Sequence, residues 1–283
     1  MSDGCAYPRG IVGEKTMSDN IIEMRNIIKI FPNGTVANKG VNFDVRRGEV
    51  HSLVGENGAG KSTLMKILFG LETPTSGSVF INGKEEKIKS PRDAMKFGLG
   101  MVHQEFMLVP SFTAAANVAL GNEKTKGLFC DRSTEKRDMQ SIAEKYGLEI
   151  DLDRPVSKLS VGIKQRVEIL KALYNNADVI ILDEPTAVLT PQETAELFKS
   201  LKMLTSTGCS IVFITHKIQE VMAISDRVTV LRNGQSIKTL NTNETTQAEI
   251  SNLMMGRDLG KACLAQEFRN TKQNLLGKKP LRL

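Results

Sequence analysis

Nine consecutive residues, Gly55-Glu56-Asn57-Gly58-Ala59-Gly60-Lys61-Ser62-Thr63, fit the pattern G-x-x-x-x-G-K-[ST]. The chemistry this spacing serves is the binding of a polyphosphate. Gly55, Gly58 and Gly60 let the backbone adopt conformations a side chain would block. The loop N–H groups then turn inward around an anion. A helix beginning at the end of the loop adds unpaired N–H donors and roughly half a positive charge. Lys61 is placed to reach the outer phosphates and the Ser62 hydroxyl to ligate magnesium. The flanks suit this reading. Glu49 to Val54 is a short apolar-alternating run that predicts a strand, and Ser62 to Phe69 predicts a helix ended by Gly70.

Asp183-Glu184 closes the continuous apolar run Asp178 to Leu182, the pattern of a parallel strand buried on both faces. In open α/β sheets ligands bind outside the carboxyl ends of the strands. Asp183 is therefore placed to hold magnesium and Glu184 to polarise an attacking water as a general base. A helix cap or surface turn would use an acidic pair equally well, but the phosphate loop upstream favours chemistry. His216 ends the next apolar strand, Ser210 to Ile214. Parallel neighbours ending in Glu and His would put both beside a terminal phosphate. Gln104 follows a short strand, Gly100 to Val102, and its amide could ligate magnesium or contact the water; an ordinary turn glutamine would look the same. Ser160 and Gly162 stand where a helix begins, a second anion-binding terminus that is incomplete within one subunit. That arrangement makes sense if it completes the site of another subunit. Phe31, at a strand end, is a candidate platform for an adenine ring or a core phenylalanine.

The elements that must carry these residues are predicted as follows. Strands cover Ile21 to Phe31, Val41 to Val45 and Gly77 to Asn82, antiparallel around the strand that feeds the loop. Ser90 caps a helix starting at Pro91. Residues from about 106 to 175 read as a mainly helical insertion, with helices over Phe112 to Leu120, Ser133 to Tyr146 and Ser160 to Tyr174. Thr190-Pro191-Gln192-Glu193 is a capping box opening a helix to about Leu204. Lys217 to Ile224 is a short helix, Arg227 to Leu240 a hairpin and Thr246 to Met255 a last helix. Residues 1–16 read as a disordered extension before a second Met-Ser-Asp, so Met17 is the expected native start; 257–283 read as a basic tail.

Composition sets limits. The 283 residues carry a net charge of +6 and 40% apolar residues. The charge is a mild excess spread along the chain, a solvated surface rather than a nucleic-acid footprint. No apolar run is long enough to span a membrane, so any membrane link is expected through a partner chain. Cys5, Cys130, Cys209 and Cys263 fit neither a metal spacing nor a disulfide framework, which suggests a reducing cytosol.

Assembled in this order, the motifs resemble the ATP-binding subunit of an ABC transporter, over about Ile21 to Met255. The fold this implies is α/β: a P-loop NTPase with a RecA-like mixed sheet, an antiparallel β subdomain and a helical insertion, the ATP-binding domain covering 17–256. Gly55 to Ser62 is similar to Walker A. Gln104 falls at the Q-loop, Leu159-Ser160-Val161-Gly162-Ile163 at the signature, Asp183 and Glu184 at Walker B and the catalytic glutamate, Ala187 to Thr190 at the D-loop and His216 at the switch histidine. Phe31 falls at the aromatic A-loop position, which favours the stacking role. The wording Glu184 to Glu193 and Met254-Met255-Gly256-Arg257-Asp258 is closer to importers of simple sugars and nucleosides, the nucleoside branch nearest.

The resemblance implies ATP and Mg2+ as ligands and transmembrane permease subunits as partners. It implies a second ATP-binding half or a homodimer, an extracytoplasmic substrate-binding protein acting indirectly, and a peripheral place on the cytoplasmic face of the membrane. The sequence departs from the common signature at Val161 and Ile163, and its D-loop ends in Thr190 rather than Asp. It looks like an N-terminal half: truncated, split or self-pairing. The competing classes are an ABC-type ATPase with no membrane partner and a half that holds ATP with little hydrolysis.

Overall fold

The computed structural model describes residues 19–123, 125–126, 129–130 and 132–256. The proposed extension, native start at Met17, tail, Cys5 and Cys263 lie outside them. The chain opens with β1 (Asn20–Ile30) and β2 (Val36–Arg46), followed by β3 (Val50–Val54) and α1 (Lys61–Leu68). Next come β4 (Ser76–Ile81), β5 (Lys84–Glu86), α2 (Pro91–Lys96), β6 (Leu99–Val102) and α3 (Ala114–Ala119). A short hairpin, β7 (Thr125–Lys126) and β8 (Phe129–Cys130), precedes α4 (Arg132–Lys145) and α5 (Val161–Tyr174). The last part runs β9 (Val179–Asp183), α6 (Pro191–Ser206), β10 (Ser210–Ile214), α7 (Ile218–Ile224), β11 (Arg227–Arg232), β12 (Gln235–Asn241) and α8 (Gln247–Met255).

Two main sheets result. The first is antiparallel with order β2-β1-β4-β5; the second has order β12-β11-β3-β10-β9-β6. Within the second, all neighbours are parallel except β11 and β12. Every residue of β3 and β10 is buried, as a sheet covered on both faces demands. Alternation divides the covering. Ile180, Leu182, Ile211 and Phe213 pack with α5 and α6, while Val179, Ile181, Val212 and Ile214 pack with α1 and the antiparallel sheet. The functional strand ends are thus fixed by neighbours on both sides.

Three predicted boundaries change. β2 begins at Val36 rather than Val41, because its first half pairs with β1 through Ile30↔Val36 and Lys29↔Asn38 although it lacks an apolar alternation. The strand Lys84–Glu86 is wholly polar and exists because Asn82 and Gly83, at φ +53° and +74°, make a tight turn back onto β4. The insertion is less helical than predicted. Its first helix starts at Ala114, where the Thr113 hydroxyl accepts the Ala116 N–H at 3.2 Å; Phe112 stays outside it and exposed, and the β7–β8 hairpin follows.

A buried charge network ties the two sheets together. Arg227 on β11 donates to Asp44 on β2 at 2.8 Å and to Glu49 at 3.2 Å, and Glu49 meets His51 at 3.1 Å. Burial pushes the Glu49 carboxyl upward, but the His51 and Arg46 hydrogen bonds and the Arg227 charge hold it below the usual glutamate value. Arg227→Met should leave two carboxylates uncompensated. The expected loss is about 3 kcal/mol, the low end for a broken buried pair because Asp44 stays 35% exposed. That corresponds to a melting temperature lower by roughly 6–10 °C. Glu49 contributes only while ionised, so the gap between variant and wild type should shrink as pH falls below the ordinary glutamate value of 4.5. Thermal melts across pH 7 to 3 check both statements.

Candidate active site

The phosphate loop lies between β3 and α1, as its motif requires. It is braced from outside and open within. A Cβ on Gly60, whose φ is +99°, would sit 2.5 Å from the Ala37 carbonyl oxygen and 2.7 Å from Asn38 Nδ2; one on Gly55 would collide with the Leu231 carbonyl. Gly58, at φ +82°, has nothing within 4 Å of such a Cβ. Asn38 Nδ2 donates to Gly60 O at 3.3 Å, and Gly234 N–H to Ala59 O at 3.1 Å. The loop is thus held by β2, by β11 and by the turn after β11.

The start of α1 is built differently from most helices here. Ser90, Thr113, Ser160, Thr190 and Thr246 each cap their helix through a side-chain oxygen. The residue at that position in α1 is Gly60, which has no side chain to do so. Its first-turn N–H groups are left for an anion. Lys61 is buried, and its Nζ donates to Gly55 O at 2.8 Å and Glu56 O at 3.0 Å, across the loop mouth. Burial lowers its ammonium below the ordinary lysine value, opposed by the charges of Glu184 and Asp183.

Asp183 ends β9 and Glu184 follows it directly, one strand away from β3 across β10. Burial raises the Asp183 carboxyl, and the neighbouring Glu184 charge adds to the rise; a hydrogen bond from Ser62 and the charges of His103 and Lys61 oppose it. The Ser62 hydroxyl and a half-buried carboxylate, beside a loop lined with N–H donors, are a donor set that fits magnesium and a polyphosphate together. Glu184 sits at φ +47°, a left-handed conformation uncommon for a side chain of its size. Its N–H donates to Ile214 O at 3.0 Å, and its Oε1 lies 3.0 Å from His216 Nδ1. The sequence-predicted meeting of Glu and His at adjacent strand ends is therefore present.

Gln104 and Phe31 stand further out. Gln104 is exposed, two residues beyond β6, while its neighbour His103 is the side chain from this segment that feels Asp183. Met107, on the same segment, donates its N–H to the buried Glu168 of α5 at 2.6 Å. Phe31 is half-buried in the β1–β2 turn, outside the core, with Lys29 Nζ 5.1 Å from its ring centroid. It is on the hairpin whose second strand touches Gly60.

The helix start at Ser160 holds an anion of its own. Gly162 N–H donates to Glu193 Oε1 at 3.0 Å, and Thr190 N–H and hydroxyl donate to Glu193 Oε2 at 3.0 and 3.1 Å. Ser160 Oγ caps Ile163 N–H at 3.4 Å. The capping box read at Thr190–Glu193 is present, and its glutamate also serves the helix start 31 residues upstream. Spacing had no means of showing that, nor the bracing by Asn38; the polar character of both was the only signal.

Comparison with known proteins bears on the family of the chain. The ABC transporter family profile matches residues 38–187. The nucleoside import ATP-binding protein NupA of Lactococcus lactis subsp. cremoris is 49% identical over 242 residues, 86% of this chain and 48% of that protein. The glucose import ATP-binding protein TsgD13 of Haloferax volcanii is 46% identical over 266 residues, 84% of this chain and 48% of that protein. The chain spans about half the length of these relatives. Among solved structures, CbiO1 of Clostridium perfringens, part of the ABC transporter complex CbiONQ, superposes with a TM-score of 0.72 at 30% identity, covering 88% of this chain and all of that one.

Proposed function

From the premise that the chain belongs to the ABC transporter family, we propose that it binds and hydrolyses ATP to drive import of a small solute such as a nucleoside or simple sugar. The observation that carries the reading is the 3.0 Å contact of Glu184 with His216, beside a phosphate loop whose buried Lys61 feels the charges of Glu184 and Asp183. The loop N–H groups and Lys61 hold the phosphates, and Phe31 stacks the base. Ser62, Asp183 and Gln104 would hold Mg2+, which when bound offsets phosphate charge. Glu184 takes the proton of the attacking water, and His216 fixes the carboxylate that does so. Closure of two ATP-binding halves, head to tail, brings Ser160 and Gly162 to the partner's nucleotide and excludes water.

The domain is read as 17–256, and its work is passed to transmembrane permease subunits at the cytoplasmic face of the membrane. Among the described residues no helix is long and apolar enough to cross one. The surface proposed for the contact is beside Gln104, where Met95 and Met107 are exposed, 40% and 60%, next to Phe69 and Met101. The nucleoside and glucose relatives support import of one of those solute classes. A substrate-binding protein would then act indirectly, from the other side.

A second reading is a half that binds ATP and turns it over little. It is favoured by the Gly162 N–H being held by Glu193 and by Val161 and Ile163 in the signature. Steady-state phosphate release by the purified chain, with and without detergent-solubilised permease subunits, decides between them. Release that rises with the permease supports the transport reading. ATP binding with no release in either state supports the second.

A further inference from the structure

We propose that Glu220 is a positioning residue for hydrolysis, clamping together the two loops that carry Glu184 and His216. The inference rests on the ATPase reading above for its kinetic arm alone. Glu220 lies in the first turn of α7, with its side chain 11% exposed. Thr186 Oγ1, two residues beyond Glu184, donates to its carboxylate, 2.7 Å from each oxygen. Thr215 Oγ1, immediately before His216, donates to Oε2 at 3.1 Å. Lys217, immediately after His216, pairs with Oε1 at 3.0 Å and donates to Thr186 O at 3.2 Å. One carboxylate thus joins the flank of the proposed base to both flanks of its histidine.

The geometry gives the clamp a specific task. Thr186 and Thr215 are each 2% exposed, so their hydroxyls depend on protein partners. Glu184 is held in a left-handed conformation, which persists only where surroundings over-determine it. The Glu184 N–H bond to Ile214 O constrains one side of that residue. The Thr186–Glu220 bond constrains the other. The side-chain partners of Glu220 are Thr186, Thr215 and Lys217, so it acts through the residues that flank Glu184 and His216.

The test uses the full chain with Glu220→Ala, Thr186→Val, their combination, and Thr186→Ser. Phosphate release and hydrogen exchange are both read. Loss of an outer partner of this kind lowers activity by about 10- to 100-fold, so kcat should fall by that factor in Glu220→Ala and in Thr186→Val. The combination should lose about as much as one change alone, because the residues act as a unit. Thr186→Ser keeps the hydroxyl and should recover most of the rate. KM for ATP should stay within about twofold of wild type, since the phosphate loop is not touched. In nucleotide-free protein, amides over 183–190 and 214–218 should exchange faster in Glu220→Ala while those of α1 do not change. A kcat near wild type, losses that add, or a kcat fall matched by a rise in KM overturns the proposal. If wild type releases no phosphate, the ATPase reading falls instead, and exchange decides alone: unchanged or uniformly faster exchange refutes the clamp.

Discussion

Glu184→Gln should bind ATP and fail to turn it over, with phosphate release lower by about 1,000-fold, within the range for loss of a general base. The substitution is close to isosteric. It leaves the backbone bond to Ile214 O, and an amide oxygen can still meet His216 Nδ1, 3.0 Å away in the wild type. What disappears is a carboxylate able to accept the proton of water. Affinity should hold, because Lys61, Ser62 and the loop glycines are unchanged, and removal of one negative charge beside the phosphates favours binding. Phosphate release and equilibrium binding of a fluorescent ATP analogue, measured on one preparation, give both numbers. Turnover within tenfold of wild type would move the base to another residue. Light scattering on the same variant reads its assembly: an ATP-dependent shift from monomer to dimer means that this chain supplies both faces of the sandwich. A chain that binds ATP and stays monomeric needs a different second half.

Lys61→Ala should lose ATP affinity by about 100-fold, the loss of charge-assisted hydrogen bonds to phosphate. The ammonium is buried at the loop mouth, close enough to Asp183 and Glu184 for their charges to act on it. Without it, incoming phosphates would face two carboxylates with no ammonium at the loop mouth. The variant also leaves Gly55 O and Glu56 O without this donor, so loop integrity needs its own readout. Titration calorimetry gives affinity, and a thermal melt without nucleotide gives stability. A melt within a few degrees of wild type together with lost affinity assigns the lysine to phosphate binding. Unchanged affinity would remove Lys61 from the site.

The parts of this site that were legible in the sequence are those where one local segment carries the whole signal. The phosphate loop has its glycines, lysine and hydroxyl in nine residues, and an apolar strand ending in Asp183-Glu184 announces itself. The pairing of β9 with β10 followed from two continuous apolar runs. The capping hydroxyls of Ser90 and Thr190 were likewise local. Contacts made by folding were not legible. Asn38 on Gly60, Glu193 on Gly162, Glu168 on Met107 and Glu220 on Thr186 join residues 22 to 61 positions apart. Each is a polar residue that, in sequence, could equally face solvent. Short polar strands such as Lys84–Glu86 were missed for a related reason: the turn before them, and not their own side chains, puts them in a sheet.

The left-handed backbone at Glu184 bears on how such a chain could be engineered. A glutamate there carries a conformational penalty of roughly 1–2 kcal/mol. Asparagine tolerates that region far better, so a library screened on heat resistance alone would accept asparagine at 184, while its shorter amide could not serve as the base. Selection for durability and selection for turnover therefore pull in opposite directions at one position. A stabilisation campaign on this scaffold has to hold residue 184 fixed from the outset and seek its gains elsewhere.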